Sequence, residues 1–586
     1  MKPSSNRTLA RHVMTVMAAT ASMLFAASGP ASAARAPLAP QVQLDSGKVE
    51  GMQMRGQHKD LRVFRGIPYA AAPVNELRFR EPQPVPRWAD VRPARQFGAR
   101  CMQPLAEGKS DSRAPQMSED CLYLNVWTPA REATGKLPVL VHFHGGGFVA
   151  GDASRPRYDG ANLASRGIVV VTVNYRLGVF GFLAPSEAAS ESSHGATGNY
   201  GLLDQAAALR WVKQNIAQFG GDPSKVTISG NSAGSVSVSA HMASPLSRGL
   251  FAGAIGESGA ALAPSGIWRR EQAEAAATKF ATRVGASSLQ QLRSLPAKTL
   301  LVAASGSKLT WDSLAFWPNV DGHFLTDSPE QTFANGAQAQ VPLLVGANSQ
   351  EAPYTAILGD AQPTPENWQA TIKRRFKDQA EEVLAHYPGN TSDEVMHAAT
   401  ALAGDFFIGH GTWKWMNQHR QTGNAPVFYY RYTQPLPPKT ATASAAVSVP
   451  APQPVLGAAH DAQLSYSLGN LGNDRRYTWT AADYDVSRIF SSYVEHFVKT
   501  GNPNGTPTAA DATSTEEATQ QSGGWLPRWP AVRTDNRGML MQIIGEKTHS
   551  VWDREAPRQG LIQRLVENGQ WAGPTIPAIQ AEDSAQ

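Results

Sequence analysis

The stretch Val226-Thr227-Ile228-Ser229-Gly230-Asn231-Ser232-Ala233-Gly234 decides how this chain folds. Val226, Thr227 and Ile228 read as a short buried strand. They run into Gly-x-Ser-x-Gly, followed by a helix-compatible run. In that strand–turn–helix setting the small flanking residues let the backbone take a strained conformation and project the Ser232 hydroxyl outward. The helix start behind it favours developing negative charge. Outside such a setting, the pentapeptide in a chain with 51 glycines would read equally well as a plain turn.

The same alternation extends in both directions. Upstream, Leu202, Ala206, Leu209, Val212, Ile216 and Phe219 recur at helical spacing, with Gly220-Gly221 as the stop. Ile168–Val173 is a strongly β-branched strand, and Pro138–Phe143 is another that runs into Gly145-Gly146-Gly147. Downstream, Ala252–Ile255 and Val341–Val345 read as two more strands. Strands alternating with helices predict an α/β fold with a mostly parallel, twisted central sheet flanked by helices.

Composition sets the bounds. The chain has 586 residues, 42% hydrophobic and 17% charged, an ordinary globular balance that excludes a wholly disordered chain. Residues 1–33 read as a secretory signal peptide: Lys2, Arg7 and Arg11 at the start, an apolar Val13–Ala27, and Ala31-Ser32-Ala33 for cleavage. That apolar run is too short to span a bilayer of about 30 Å comfortably, so no stable membrane insertion is expected and the mature chain should be secreted, to the periplasm or the medium. Removing the segment lowers the net charge from +5 to +2. Lys and Arg are scattered with no basic stripe, so no nucleic-acid partner is expected. The two cysteines, Cys101 and Cys121, suggest one disulfide in an exported chain, contributing about 3 kcal/mol in the chain-entropy model. They lack the ligand count for a metal site. Residues 34–571 form the folded body. Within it, 435–454 (Pro, Ala, Ser, Thr) and 505–524 (Thr, Ala, Ser, Gln) read as surface loops, the first placed to border a pocket mouth. Residues 572–586 read as a flexible tail.

Gly145-Gly146-Gly147 after a strand can bring backbone N–H groups close to an oxyanion, so Gly146, Gly147 and Ala233 are the expected donors. His144 reads as a structural hydrogen-bonder. A serine nucleophile needs a base and an orienting acid, in the chain order serine, acid, histidine. Glu351 is the first carboxylate after the strand Val341–Val345. His460 lies in the small-residue loop Gly457-Ala458-Ala459-His460-Asp461, whereas His386, His397, His410, His496 and His549 read as helix or surface positions.

These residues resemble the type-B carboxylesterases, the carboxylesterase and cholinesterase lineage of the α/β-hydrolases. Phe64–Ala70 and Glu119–Val126 are similar to that family's first two signatures, Phe219–Gly234 to its active-site signature, Pro318–Gly322 to the segment preceding its acid, and Gly457–Tyr466 to its histidine segment. The resemblance implies an α/β-hydrolase fold from about Gly51 to Val532. It implies Glu351 as triad acid, His460 as base, Cys101–Cys121 as the family's first disulfide, and Ser258 as a serine packed behind the triad. The expected activity is hydrolysis of carboxylic esters through an acyl-enzyme, on short-to-medium or aryl esters, with no metal or cofactor and a monomer as the default.

Two departures bear on substrate. The family usually has Glu before the nucleophile; here Asn231 leaves a neutral hydrogen-bonding group. Met102–Asp120 contains no Trp to stack on a quaternary ammonium. Both argue against choline esters. An amidase, carbamate hydrolase or lipase on the same fold, and a non-catalytic binding protein, are the alternative readings.

Overall fold

Val169–Val173 is buried at all five positions, as a strand covered on both faces by helices must be. The computed structural model describes residues 39–104, 111–133, 136–263, 266–305, 316–440, 454–506, 526–535 and 538–569. The segments read as signal peptide (1–33) and tail (572–586), and most of the two loops read over 435–454 and 505–524, lie outside the described residues.

The strands of the large sheet, in chain order, are β1 (Met52–Gln53), β2 (Arg62–Pro68), β3 (Tyr123–Thr128), β4 (Leu137–Phe143), β5 (Val169–Val173), β6 (Gly221–Asn231), β7 (Gly253–Glu257), β8 (Leu343–Asn348), β9 (Val427–Tyr432), β10 (Thr534–Asp535), β11 (Gly538–Ile544) and β12 (His549–Asp553). Their order is β10-β11-β9-β8-β7-β6-β4-β5-β3-β2-β1, with β12 also on β11. From β5 across β4, β6, β7, β8 and β9 to β11 every pairing is parallel. Both margins are antiparallel: β1, β2 and β3 run up to β5, and β10 and β12 flank β11. The sheet is therefore mixed. The parallel block is the part marked by apolar strand runs in the sequence; the antiparallel margins carry Arg, Gly, Asn and Gln that dilute the signal.

Alternation along each strand divides the apolar interior in two. Val139, Val141, Phe143 and Val171 face one core with Leu202, Leu209 and Val236, from helices α1 (Tyr200–Asn215) and α2 (Ala233–Ala243). Leu140, Val170, Ile255, Leu344 and Phe428 face the other with Phe490, Val494 and Phe497, from the long helix α5 (Ala481–Thr500). A third cluster, with Trp368, Val395, Leu402, Phe406 and Leu561, holds α3 (Ser392–Gly404). This helix continues through a π-helical turn, Asp405–Gly409, into α4 (His410–Thr422). Cys101 and Cys121 are joined by a disulfide. No helix among the described residues is long and apolar enough to cross a membrane.

Candidate active site

Parallel strands bring their carboxyl ends, and the loops that follow them, to one edge of the sheet. The registers set Phe143 beside Gly230 and Gly230 beside Gly256. Gly145–Gly147 thus follow β4, Ser232 follows β6, Ser258 follows β7 and Glu351 follows β8 at that edge.

Ser232 has φ 52° and ψ −124°, the strained turn expected from its motif. Its N–H donates to Glu257 O at 2.9 Å, and its own carbonyl accepts Val236 N–H at 2.9 Å. Both flanking glycines are required by close approach. A Cβ on Gly230 would lie 2.3 Å from the carbonyl carbon of Gly234, and one on Gly234 would lie 2.1 Å from Phe143 O. Helix α2 starts at Ala233, so that N–H is among the first-turn donors without an intrahelical partner. Across from it, Gly146 at φ 114° and Gly147 at φ 60° curl the glycine loop. Val149 and Ala150 N–H close the loop on Gly146 O, each at 3.0 Å.

Glu351 is buried, 6% exposed. Its Oε2 is joined to His460 Nδ1 by a 2.6 Å hydrogen bond, and its Oε1 accepts Asn348 N–H at 2.5 Å. The two loops that supply this pair are stitched together. Gln350 N–H donates to Ala458 O at 2.9 Å and Ala458 N–H to Ser349 Oγ at 2.9 Å. Asn348 Nδ2 reaches Ala459 O and Gln463 Oε1 at 2.6 and 2.7 Å. The π-helical turn sets the Phe407 ring edge-on to His460, with centroids 5.1 Å apart. Sequence reasoning did not single out Phe407, because π-turns lack a clear local signature.

The family model of the carboxylesterases matches residues 38–557. The chain belongs to the carboxylesterase family. It is 36% identical over 473 residues to para-nitrobenzyl esterase of Bacillus subtilis, covering 78% of this chain and 89% of that one. It is 37% identical over 396 residues to fumonisin B1 esterase of Sphingopyxis macrogoltabida, covering 66% and 70%. A solved structure titled PNB esterase superposes with a TM-score of 0.68 at 32% identity, covering 89% of this chain and 99% of the other.

In this carboxylesterase, Asn231 is fully buried and uses its amide as a clamp. Its Oδ1 accepts Gly145 N–H at 3.1 Å and Tyr158 Oη–H at 3.3 Å. Its Nδ2 donates to Asp461 Oδ1 at 2.8 Å. The residue before Ser232 is thereby tied both to the glycine loop and to the residue after His460. Asp461 takes φ 68° to do this, and its Oδ1 lies 3.7 Å from His460 Nε2. Ser258 is buried at φ 58° with N–H on Gly346 O at 2.8 Å; its hydroxyl has no protein partner.

His142 and His144 are buried. His142 Nδ1 bonds Ser229 Oγ at 3.0 Å; His144 Nδ1 bonds Gly145 O at 2.8 Å and stacks on Tyr175. Burial pushes them down to about 3 and about 4, respectively, so both are neutral ring donors or acceptors near neutral pH. The histidines read as helix or surface positions fall outside the stitched loops. His386, His397, His410 and His496 lie in helices, and His549 opens β12.

Glu257, whose backbone carbonyl holds Ser232 N–H, is a feature sequence reasoning did not find. Its side chain is buried, with Oε1 on Ser467 Oγ–H at 3.3 Å and Oε2 unpaired. Burial, with some help from the Asp461 charge, pushes the carboxyl up to about 8. The folded state therefore holds a proton that the unfolded chain releases near 4.5. Stability contributed by the neutral acid is fully present below that value and is lost as pH rises toward 8. Glu257→Gln is expected to flatten this fall. Urea midpoints at pH 5 and pH 8 should differ less for the variant than for the wild type, and parallel curves would remove Glu257 as the cause.

Proposed function

We propose that the chain is an exported serine carboxylic-ester hydrolase in which Ser232, His460 and Glu351 act as nucleophile, base and orienting acid. The observation that carries this reading is the 2.6 Å bond from His460 Nδ1 to a buried Glu351, on loops gathered at the same sheet edge as a serine in a strained strand-to-helix turn. The Asn231–Asp461 bond draws the serine and histidine segments together.

Ser232 Oγ attacks the ester carbonyl carbon as His460 Nε2 takes its proton. The amides of Gly146, Gly147 and Ala233 receive the oxyanion. Collapse breaks the C–O bond, and His460 returns the proton to the leaving alcohol. Water, deprotonated by the same imidazole, then releases the acid from the acyl-enzyme. Glu351 holds the proton on Nδ1, so that Nε2 is free to accept.

Short-to-medium or aryl esters are the proposed substrates, a choice supported by the para-nitrobenzyl esterase relative. Choline esters are excluded from the proposal by Asn231 and by the absence of Trp in Met102–Asp120. Export rests on the reading of residues 1–33, with the disulfide in support. The test is a series of p-nitrophenyl esters from C2 to C16. Rates should be highest on short and medium chains and fall steeply at the long end. Preference for C16 with activation on emulsions would favour a lipase. Absence of both turnover and fluorophosphonate labelling at Ser232 would favour a binding protein.

A further inference from the structure

Three side chains from distant parts of the sequence converge outside the catalytic machinery. Glu81 follows a short helical turn, Asn75–Leu77; His194 follows the helix Ser186–Glu191; His323 follows the short strand Asn319–Val320. One ligand atom from each lies within 4.8 Å of the other two. The two imidazoles stack face to face, with centroids 3.8 Å apart and planes 7° from parallel. A neutral imidazole offers one ring-nitrogen lone pair to an ion.

The carboxylate is already oriented. Ser192 Oγ–H donates to Glu81 Oε1 at 2.9 Å, leaving Oε2 available, and Ser192 Oγ also accepts His194 N–H at 3.2 Å. His323 N–H is fixed on Asp321 Oδ1 at 3.2 Å. The Ser192 hydroxyl is a partner of the kind that orients a ligating carboxylate, and the two backbone bonds fix the loops that carry the imidazoles. Two imidazoles and one carboxylate suit a borderline divalent ion with an open position for water, whereas hard cations favour all-oxygen sets. The ligand atoms must close to about 3.3 Å for tetrahedral bonds of about 2.0–2.1 Å, which requires the exposed His194 to turn its ring out of the stack so that its lone pair points at the ion.

We propose that Glu81, His194 and His323 form a binding site for a Zn2+-class divalent ion, which fastens three loops of the chain together. The ion takes no part in ester hydrolysis. Glu81, His194 and His323 lie far apart in the sequence, with no metal-ligand spacing to mark them.

The experiment is calorimetric titration of the untagged, metal-stripped protein with ZnCl2, with thermal melts alongside. One saturable site per chain and a rise in Tm with Zn2+ are expected, with no competition from a large excess of Mg2+. His194→Ala and His323→Ala should each lose the saturable heat and the Tm rise, and Ser192→Ala should weaken binding by about 10-fold. Hydrolysis of a p-nitrophenyl ester by the metal-free variants should match the wild type, which establishes that they are folded. No saturable heat in the wild type, or binding unchanged in both histidine variants, would overturn the site.

Discussion

Ser232→Ala is expected to lower kcat on p-nitrophenyl butyrate by about 10⁴-fold or more, leaving only the rate that oxyanion donors and binding supply by themselves. The loss should fall on kcat, because the hydroxyl forms its bond to substrate in the reaction itself. Stability should move by no more than about 1 kcal/mol. Alanine has the same Cβ as serine and meets the same strain at φ 52°. The backbone bonds to Glu257 O and from Val236 N–H do not depend on the side chain. Initial rates and a melting curve on the same preparation separate the two effects. A variant that melts like the wild type and still turns over at the wild-type rate would place the nucleophile elsewhere.

Much of this site was legible because strand, turn and helix are local events. The runs read at Pro138–Phe143, Ile168–Val173 and Val341–Val345 fall on parallel strands that are buried over Val139–Phe143, Val169–Val173 and Leu343–Val345, with Val341 and Pro342 preceding the last strand. Strand β6 is longer than Val226–Ile228 implies, since Gly221 pairs with Leu137 before a register shift, and Asp222–Lys225 conceal that extension. The helix read over Leu202–Phe219 ends its α-helical part at Asn215 and tightens to 3₁₀ geometry before Gly220 at φ 82°. The aromatic run Phe428-Tyr429-Tyr430 in β9 carries no alternation and was not read as a strand. The proposed acid and base, Glu351 and His460, required chain order and family resemblance, because they meet across 109 residues. Glu257 and Phe407 were not legible. What matters about them is which neighbour each touches, and neither has a local pattern that states it. Asn231 reads in the sequence as a neutral hydrogen-bonding group, and the structure gives its amide three partners that need both a donor and an acceptor.

Glu351→Gln tests the orientation of the base at almost constant shape. Glu351 faces two groups: Asn348 N–H donates to Oε1, and His460 Nδ1 is bonded to Oε2. A carboxylate accepts from both. An amide has one oxygen and one NH2, so it must fail one of them. Turning the NH2 toward Asn348 sets donor against donor and leaves a buried backbone N–H unpaired, at a cost of about 1–3 kcal/mol. Turning it toward His460 forces Nδ1 to accept and moves the ring proton to Nε2, the atom proposed to take the Ser232 proton. The second arrangement is the less costly for the fold and the more damaging for the chemistry. The expected result is a fall in kcat of about 10⁴-fold, with KM little changed and the protein still folded. Fluorophosphonate labelling of Ser232 should slow in parallel, since it needs the same proton acceptor. The wild-type rate should fall in acid as the imidazole protonates; in the variant the residual rate should no longer follow that limb, because its ring offers no free Nε2 to lose. Wild-type turnover by Glu351→Gln would show that the histidine keeps its tautomer without this carboxylate.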